Sequence, residues 1–128
     1  MKAILLTLFL VISLASFSQE DVETFRRDYN WISVFAEDEW SPVEELKCTF
    51  VFNINDNGDV KFYNANKGTT ITYRAIGGVE TGVTDNGEGY QIIFVLDDDG
   101  DECLLQLFDS QELGLKIILG PTFMIHFF

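Results

Sequence analysis

Histidine is nearly absent from this chain, which has one, His126, among 128 residues. Nucleophilic catalysis by serine or cysteine usually needs a histidine as the base, and transition-metal sites depend on imidazole ligands. The chain also has no Gly-x-Ser-x-Gly motif and no phosphate-binding glycine loop. The sequence therefore predicts a protein that is not an enzyme, with no catalytic residues and no cofactor.

Cations are also scarce, since eight Lys and Arg stand against 21 Asp and Glu and the net charge is −13. Only Arg26 and Arg27 are adjacent, and the remaining cations are scattered. An acidic surface without a basic patch repels phosphate groups. We expect no nucleic-acid partner, and the charge itself is explained by solubility.

Long apolar runs are limited to one, residues 3–12. It follows Lys2 and precedes the small residues Ser16 and Ser18, a pattern typical of a signal peptide cleaved after Ser18. The run is shorter than the roughly 20 apolar residues of a membrane-spanning helix, and a retained anchor is the alternative. We expect an exported chain (periplasm, cell surface or extracellular) with no transmembrane helix in its mature form. Residues 19–128 then form one small domain, because that length suits a single core.

Turn residues divide the rest of the chain into short runs. Residues 56–59, 85–88 and 98–101 each place Asn or Asp directly before Gly, which is the pattern of a tight hairpin turn. Turns at intervals of about ten residues are typical of an all-β domain. We predict a mainly antiparallel β-meander that forms a barrel or a sandwich, in which Gly77-Gly78 is either a break or a bulge. The predicted strands cover residues 31–36, 47–54, 59–64, 69–76, 79–84, 90–96, 102–108, 114–119 and 122–127.

Alternation assigns one face of the early strands to the core, because successive side chains of a strand point to opposite sides. The later strands are apolar on both faces, and strands of that kind must be covered on both faces. The face opposite the main core is predicted to carry a candidate interaction surface: Ile93, Val95, Leu104, Ile118 and Met124.

A short helix after the signal peptide is the predicted cover for that surface. Val22, Phe25 and Tyr29 recur at spacings of three and four residues among charged neighbours, which indicates an amphipathic helix. If this helix does not cover the later strands, their outer face is an exposed apolar patch, and such a patch marks a partner site.

The two cysteines raise the question of a disulfide, because bridges form readily in exported proteins. Cys48 is in phase with Phe50, and Cys103 is in phase with Leu105, so both are expected to point into the same interior. A Cys48–Cys103 bridge would contribute about 4 kcal/mol by chain entropy. The alternative is two buried thiols that act as small apolar side chains.

The acidic residues 97–102 and the asparagines of residues 53–58 resemble calcium ligands in type, because hard cations prefer oxygen ligands. When Gly58 takes the sixth place of a calcium loop, the first and twelfth places hold Asn53 and Asn64. With Gly100 in that place they hold Val95 and Gln106. Both loops lack the carboxylates required there, so we predict no metal site.

The leading functional hypothesis is an exported, non-catalytic binding or interaction module whose partner is a protein or a small apolar ligand. One alternative is a carrier that holds a small apolar ligand in an internal barrel cavity, and a lesser one is a small outer-membrane barrel. A carrier needs an internal cavity, whereas an interaction module needs a filled core and an exposed apolar surface. The oligomeric state, the ligand and the partner are left open.

Overall fold

A computed structural model describes residues 23–128, so the predicted signal peptide and Val22 lie outside the described range. Nine strands form all the regular structure of this range, and none of its residues belongs to a helix that could span a bilayer. The strands are β1 (Phe25–Ala36), β2 (Glu39–Trp40), β3 (Glu44–Phe52), β4 (Val60–Asn64), β5 (Thr69–Val83), β6 (Gly89–Leu96), β7 (Glu102–Phe108), β8 (Leu115–Gly120) and β9 (Phe123–Phe127).

The strands form a closed antiparallel barrel. Each strand from β3 to β8 pairs with the next one in sequence, and β1 pairs with both β3 and β9, which closes the ring. β2 has two residues and pairs only with the end of β1, so eight strands make the barrel wall. The predicted all-β meander is confirmed, and of its two forms the barrel is the one observed.

The hairpin turns lie where Gly follows Asn or Asp. Gly58, Gly87 and Gly100 have φ values of +85°, +88° and +87°, in the left-handed region that glycine adopts without steric cost. These turns connect β3 to β4, β5 to β6 and β6 to β7. Gly77-Gly78 is a bulge within the continuous strand β5, where the register with β6 shifts between Ala75 and Val79.

The barrel interior is filled by aromatic side chains. Phe50 is fully buried, and its ring centroid lies 4.9 Å from that of Phe62 and 5.1 Å from that of Phe127. Leu105 and Leu115 are also fully buried in the same cluster. An eight-stranded barrel is just wide enough for its side chains to fill the interior, and the middle of this one is packed.

The predicted helix is wrong for Phe25 and Tyr29, because both lie on β1, while its third residue, Val22, lies outside the described range. Tyr29 is 2% exposed in the core, and Phe25 packs against that core from the inside. Phe25, Arg27 and Tyr29 alternate along one face of a strand, and the spacing of four between the two aromatics also fits a helix. The half-buried Arg27 made the strand pattern hard to see.

The prediction for Ile93 and Val95 is also wrong, since both are in the core rather than on the opposite face. Val95 lies opposite Cys103 and Ile93 opposite Leu105 across the β6–β7 hairpin, and cross-strand partners share a face. Residues 92–96 are all apolar, so the alternation of polar and apolar residues could not show which side chains of β6 face inward. The outward positions of this strand are those of Ile92 and Phe94.

Candidate functional site

The ladder between β4 and β5 stops at Asp59. The last paired residues are Val60 and Tyr73. At the next step the Ala75 backbone N–H donates to Asp59 Oδ1 at 2.9 Å, and Asn55 Nδ2 donates to the other carboxylate oxygen at 2.9 Å. A buried side chain therefore stands where the next main-chain partner of β5 would be.

Beyond this point β5 is paired on one side only. Residues 76–83 pair with or lie beside β6, and no other described strand pairs with them. Val79 lies opposite the buried Ile93, so its side chain faces the inside of the barrel, yet it is 56% exposed. Val83 is 67% exposed. The barrel wall is open along this half of β5.

The opening is a cleft of about 440 Å³, within the range of ligand pockets. Its floor is apolar and its rim is mostly polar and uncharged. The lining residues are Glu23, Phe25, Phe52, Asn53, Asn57, Gly58, Ala75, Gly77, Val79, Thr81, Gln91 and Ile93.

The wall opposite β5 is held in place by several contacts. The rings of Phe25 and Phe52 stack at 4.8 Å, and the Arg27 guanidinium lies 5.0 Å from the centroid of the Phe25 ring. Asn53 Nδ2 donates to the Glu23 carbonyl at 3.0 Å. Asn53 itself has φ +60°, a conformation that asparagine tolerates better than most residues. The site is therefore preformed on this side.

The described lining of this cleft is rich in hydrogen-bonding groups and poor in acid and base groups. Among the described residues that line it, Glu23 has the one titratable side chain. Acid and base chemistry needs a second positioned group, whereas Asn57, Thr81 and Gln91 offer uncharged hydrogen-bonding groups beside an apolar floor. A few polar groups around an apolar floor are typical of ligand pockets.

The predicted interaction surface is divided by the barrel. Leu104, Ile118 and Met124 lie on strand positions that face outward and are half-buried. Leu104 and Ile118 line a shallow outer groove of about 210 Å³. Ile93, in contrast, lines the floor of the cleft, and Val95 is fully buried.

Of the two alternatives for the cysteines, the structure has the pair of buried thiols, because Cys48 and Cys103 are both free and buried. They lie on β3 and β7, which are four strands apart in either direction around the ring of eight. Eight strands spaced about 4.8 Å apart enclose a ring about 12 Å or more across, whereas bridged Cα atoms lie within about 7 Å. Burial raises the pKa of each thiol to about 11, so neither is a reactive nucleophile.

The acidic turn brings Asp97, Asp99 and Asp101 together, with one ligand atom of each within 4.8 Å of the others. Asp97 Oδ1 accepts the backbone N–H groups of Asp99 and Asp101, each at 2.9 Å. Asn55 Oδ1 does the same for Asn57 and Asp59 in the β3–β4 turn, at 3.0 and 3.2 Å. These side chains hold the hairpin turns.

His126 has a structural environment on the outside of the barrel. Its Nε2 lies 2.7 Å from the Leu113 carbonyl oxygen, and its ring contacts those of Trp40 and Phe128 at 6.0 and 4.7 Å. Burial lowers the pKa of the imidazole, and the nearby Lys116 lowers it further. The neutral form is therefore favoured, remote from the residues that line the cleft.

Comparison with known proteins gives no relative for this chain: no family model, curated protein or solved structure matches it.

Sequence reasoning missed the cleft and all its polar residues. The signal that could have located it is a difference in strand length. β4 has five residues and β5 has fifteen. An antiparallel neighbour of five residues cannot pair with all of β5, so part of the longer strand must have an open edge. The predicted strands at 69–76 and 79–84 hid this difference because they divided β5 at Gly77-Gly78.

Proposed function

We propose that this chain is an exported, non-catalytic binding domain whose ligand site is the cleft beside the open half of β5. One observation carries the proposal: the barrel is packed through its middle but has a preformed, largely uncharged cleft of about 440 Å³ at one end. Pockets of this form occur in the mouths of β-barrels.

The filled core argues against a carrier with a central cavity. Phe50, Phe62 and Phe127 occupy the middle of the barrel, with ring centroids 4.9 to 5.6 Å apart. A ligand in the middle would have to displace these rings. A ligand in the cleft would contact the floor and leave the packed interior unchanged.

The distribution of charge argues against an outer-membrane barrel. Such barrels have an apolar outer band and a polar interior. Here the interior is apolar, and Lys61, Arg74 and Lys47 lie at outward positions of their strands, where they interrupt any apolar band. The pattern favours a barrel whose outer wall meets water on the side of β3, β4 and β5.

The test is binding of Nile red, a neutral dye whose fluorescence rises in apolar surroundings, to the purified protein. Thr81→Trp places an indole in the cleft, and Thr70→Trp is the matched control, since Thr70 is an exposed threonine at the other end of the same strand. We expect wild type and Thr70→Trp to bind the dye, and Thr81→Trp to lose most of the signal.

Equal dye binding by both variants would contradict the proposal, because the dye would then sit elsewhere. Circular dichroism checks that both variants are folded. If Thr81→Trp does not fold, Asn57→Trp fills the cleft from the β3–β4 turn, outside any strand.

A further inference from the structure

We infer that the open half of β5 is a strand-addition site, which binds an extended peptide segment of another protein along its main chain. The inference rests on the proposed function, since it places the ligand in the same cleft and names its chemical class. Strand addition to an exposed sheet edge obtains affinity from main-chain hydrogen bonds and specificity from alternate side chains.

The direction of the main chain in β5 follows from two hydrogen bonds. The Thr84 N–H donates to the Glu88 carbonyl at 2.9 Å. The main-chain N–H of Thr84 therefore points toward the side of β6. The Ala75 N–H points the other way, to Asp59. Because main-chain groups alternate along a strand, Val79 and Thr81 point their N–H and C=O groups away from β6.

These groups point along the cleft, which Val79 and Thr81 both line. With Val83, the next residue of the same parity, they offer three N–H donors and three C=O acceptors, since each non-proline residue carries one of each. No described strand pairs with them. An unpaired row of this kind is a template for another strand.

The edge is little protected against such pairing. Proteins usually block open edges with proline, lysine, a bulge or a covering element. Residues 79–83 contain no proline and no lysine, and Glu80 is their one charged residue. The bulge at Gly77-Gly78 lies before this segment rather than within it.

The side chains around the edge define what the peptide presents. One face of an added strand would meet the floor of Phe52 and Ile93, so alternate residues of the peptide are apolar. Glu23 lines the cleft, Glu80 is exposed on β5, and the whole chain carries a net charge of −13. The peptide is therefore neutral to basic, without acidic residues.

Charge also argues against a second copy as the occupant. Pairing of two β5 edges would bring two strongly acidic chains together, with a Glu80 on each strand of the interface. Like charges across a strand pair are destabilising. A segment of opposite charge has no such cost.

The first measurement is amide hydrogen exchange of the free protein. Glu80 and Gly82 pair with Ile92 and Tyr90 of β6, so their amides are expected to exchange slowly. The amides of Val79 and Thr81 are expected to exchange at least about tenfold faster, because no strand among residues 23–128 pairs with their N–H groups. These four neighbouring amides serve as controls for one another.

The second measurement uses a labelled probe peptide, Val-Lys-Val-Thr-Val-Lys-Val-Thr, followed by fluorescence anisotropy. We expect it to bind, to displace Nile red and to slow exchange at Val79 and Thr81. The same peptide with Glu in place of Lys is expected to bind about tenfold more weakly at low salt.

The decisive variants are Thr81→Pro and Thr81→Val. Proline removes one N–H that faces away from β6, a position where an edge strand tolerates it. Valine keeps the N–H and removes the hydroxyl. Both variants lack the hydroxyl, so we expect Thr81→Pro to bind the peptide about fivefold more weakly than Thr81→Val, the effect of one main-chain hydrogen bond.

The outcomes separate this inference from the proposed function. If the peptide displaces Nile red but leaves exchange at Val79 and Thr81 unchanged, strand addition is wrong and the cleft is still a binding site. If neither dye nor peptide binds, both are wrong. If the two amides are slow in the free protein, or become slow only as its own concentration rises, the occupant is the chain itself and the inference is overturned.

Discussion

The two halves of β5 belong to one strand but have opposite environments. In the first half, Thr69–Tyr73 pair with β4, and Tyr73 is 7% exposed in the core. In the second half, Val79 faces the same inner side but is 56% exposed. Both segments are β-branched or aromatic at inward positions, so the intrinsic preference for a strand is similar.

The difference shows that an inward side chain of β5 is buried only where a neighbouring strand covers it, whatever its residue type. The pairing of β4 with β5 ends at Val60, and the Asp59 carboxylate accepts the next main-chain N–H of β5 on that side, that of Ala75. Past that position the same inward direction leads to a cleft instead of a core. The position of the cleft in this fold therefore depends on where a short strand stops.

The largest expected effect comes from truncating the paired half. Tyr73→Ala should lower the free energy of unfolding by about 3 kcal/mol or more, because removal of a buried aromatic ring leaves a cavity. Val79→Ala, at the same inner side of the open half, should cost less than about 1 kcal/mol. Urea unfolding of the two variants measures both, and equal losses would refute the contrast between the two halves.

A moderate effect is expected at the junction between the halves. Asp59→Ala should lower the free energy of unfolding by about 2 kcal/mol, since it leaves the Ala75 N–H and Asn55 without their acceptor. Asp59→Asn retains an acceptor oxygen and should lose less. Faster hydrogen exchange at Ala75 in Asp59→Ala would show that the open edge has grown, whereas unchanged exchange there would contradict the role given to Asp59.

His126, which lies outside the cleft, should determine how the free energy of unfolding changes with pH near neutrality. Burial lowers the pKa of this group from 6.5 in the folded protein, so the unfolded state binds a proton more readily. The free energy of unfolding is then unaffected by this group above about pH 6.5, and it decreases as the pH falls toward the lowered pKa. His126→Phe should flatten this slope in thermal unfolding, while Nile red binding should be unchanged between pH 6 and 8. A slope that persists in His126→Phe would assign it to other groups.

The smallest effect is expected from reducing agent. Cys48 and Cys103 are free, so a reductant should change neither the mass nor the urea midpoint of the protein. With a thiol pKa of about 11, both should resist alkylation at pH 8 until urea opens the barrel. A mass increase of two hydrogens on reduction would show a bridge that the barrel geometry forbids.

Most strands could be predicted because their turns carry strong local chemistry. Gly58 and Gly87, each directly after an asparagine, have the left-handed backbone that few other residues adopt. These positions set the ends of β3, β4, β5 and β6 to within a few residues. The identity of the barrel itself was less accessible, since closure depends on pairing between β1 and β9, which no local pattern reports.

The cleft could not be predicted because its residues are brought together by strand register. Phe25, Gln91 and Thr81 come from three strands, and each is an ordinary strand residue by itself. The error at Ile93 and Val95 has a similar origin, since a strand that is apolar at every position has no phase until a neighbour supplies it. The turn at residues 98–101 did indicate which residues of β6 face inward, because it places Val95 opposite Cys103.

The seam between β1 and β9 affects how the protein folds. It joins residues 32–35 to residues 124–127, so this pairing spans most of the described chain. Contacts between residues so distant in sequence require the entropy cost of closing a long loop before they contribute any stabilising free energy. Topologies dominated by such contacts fold in milliseconds to seconds. Until the seam forms, the hairpins of β6 to β9 have an unpaired outer strand. The time before ring closure is therefore the period in which this chain is most exposed to aggregation.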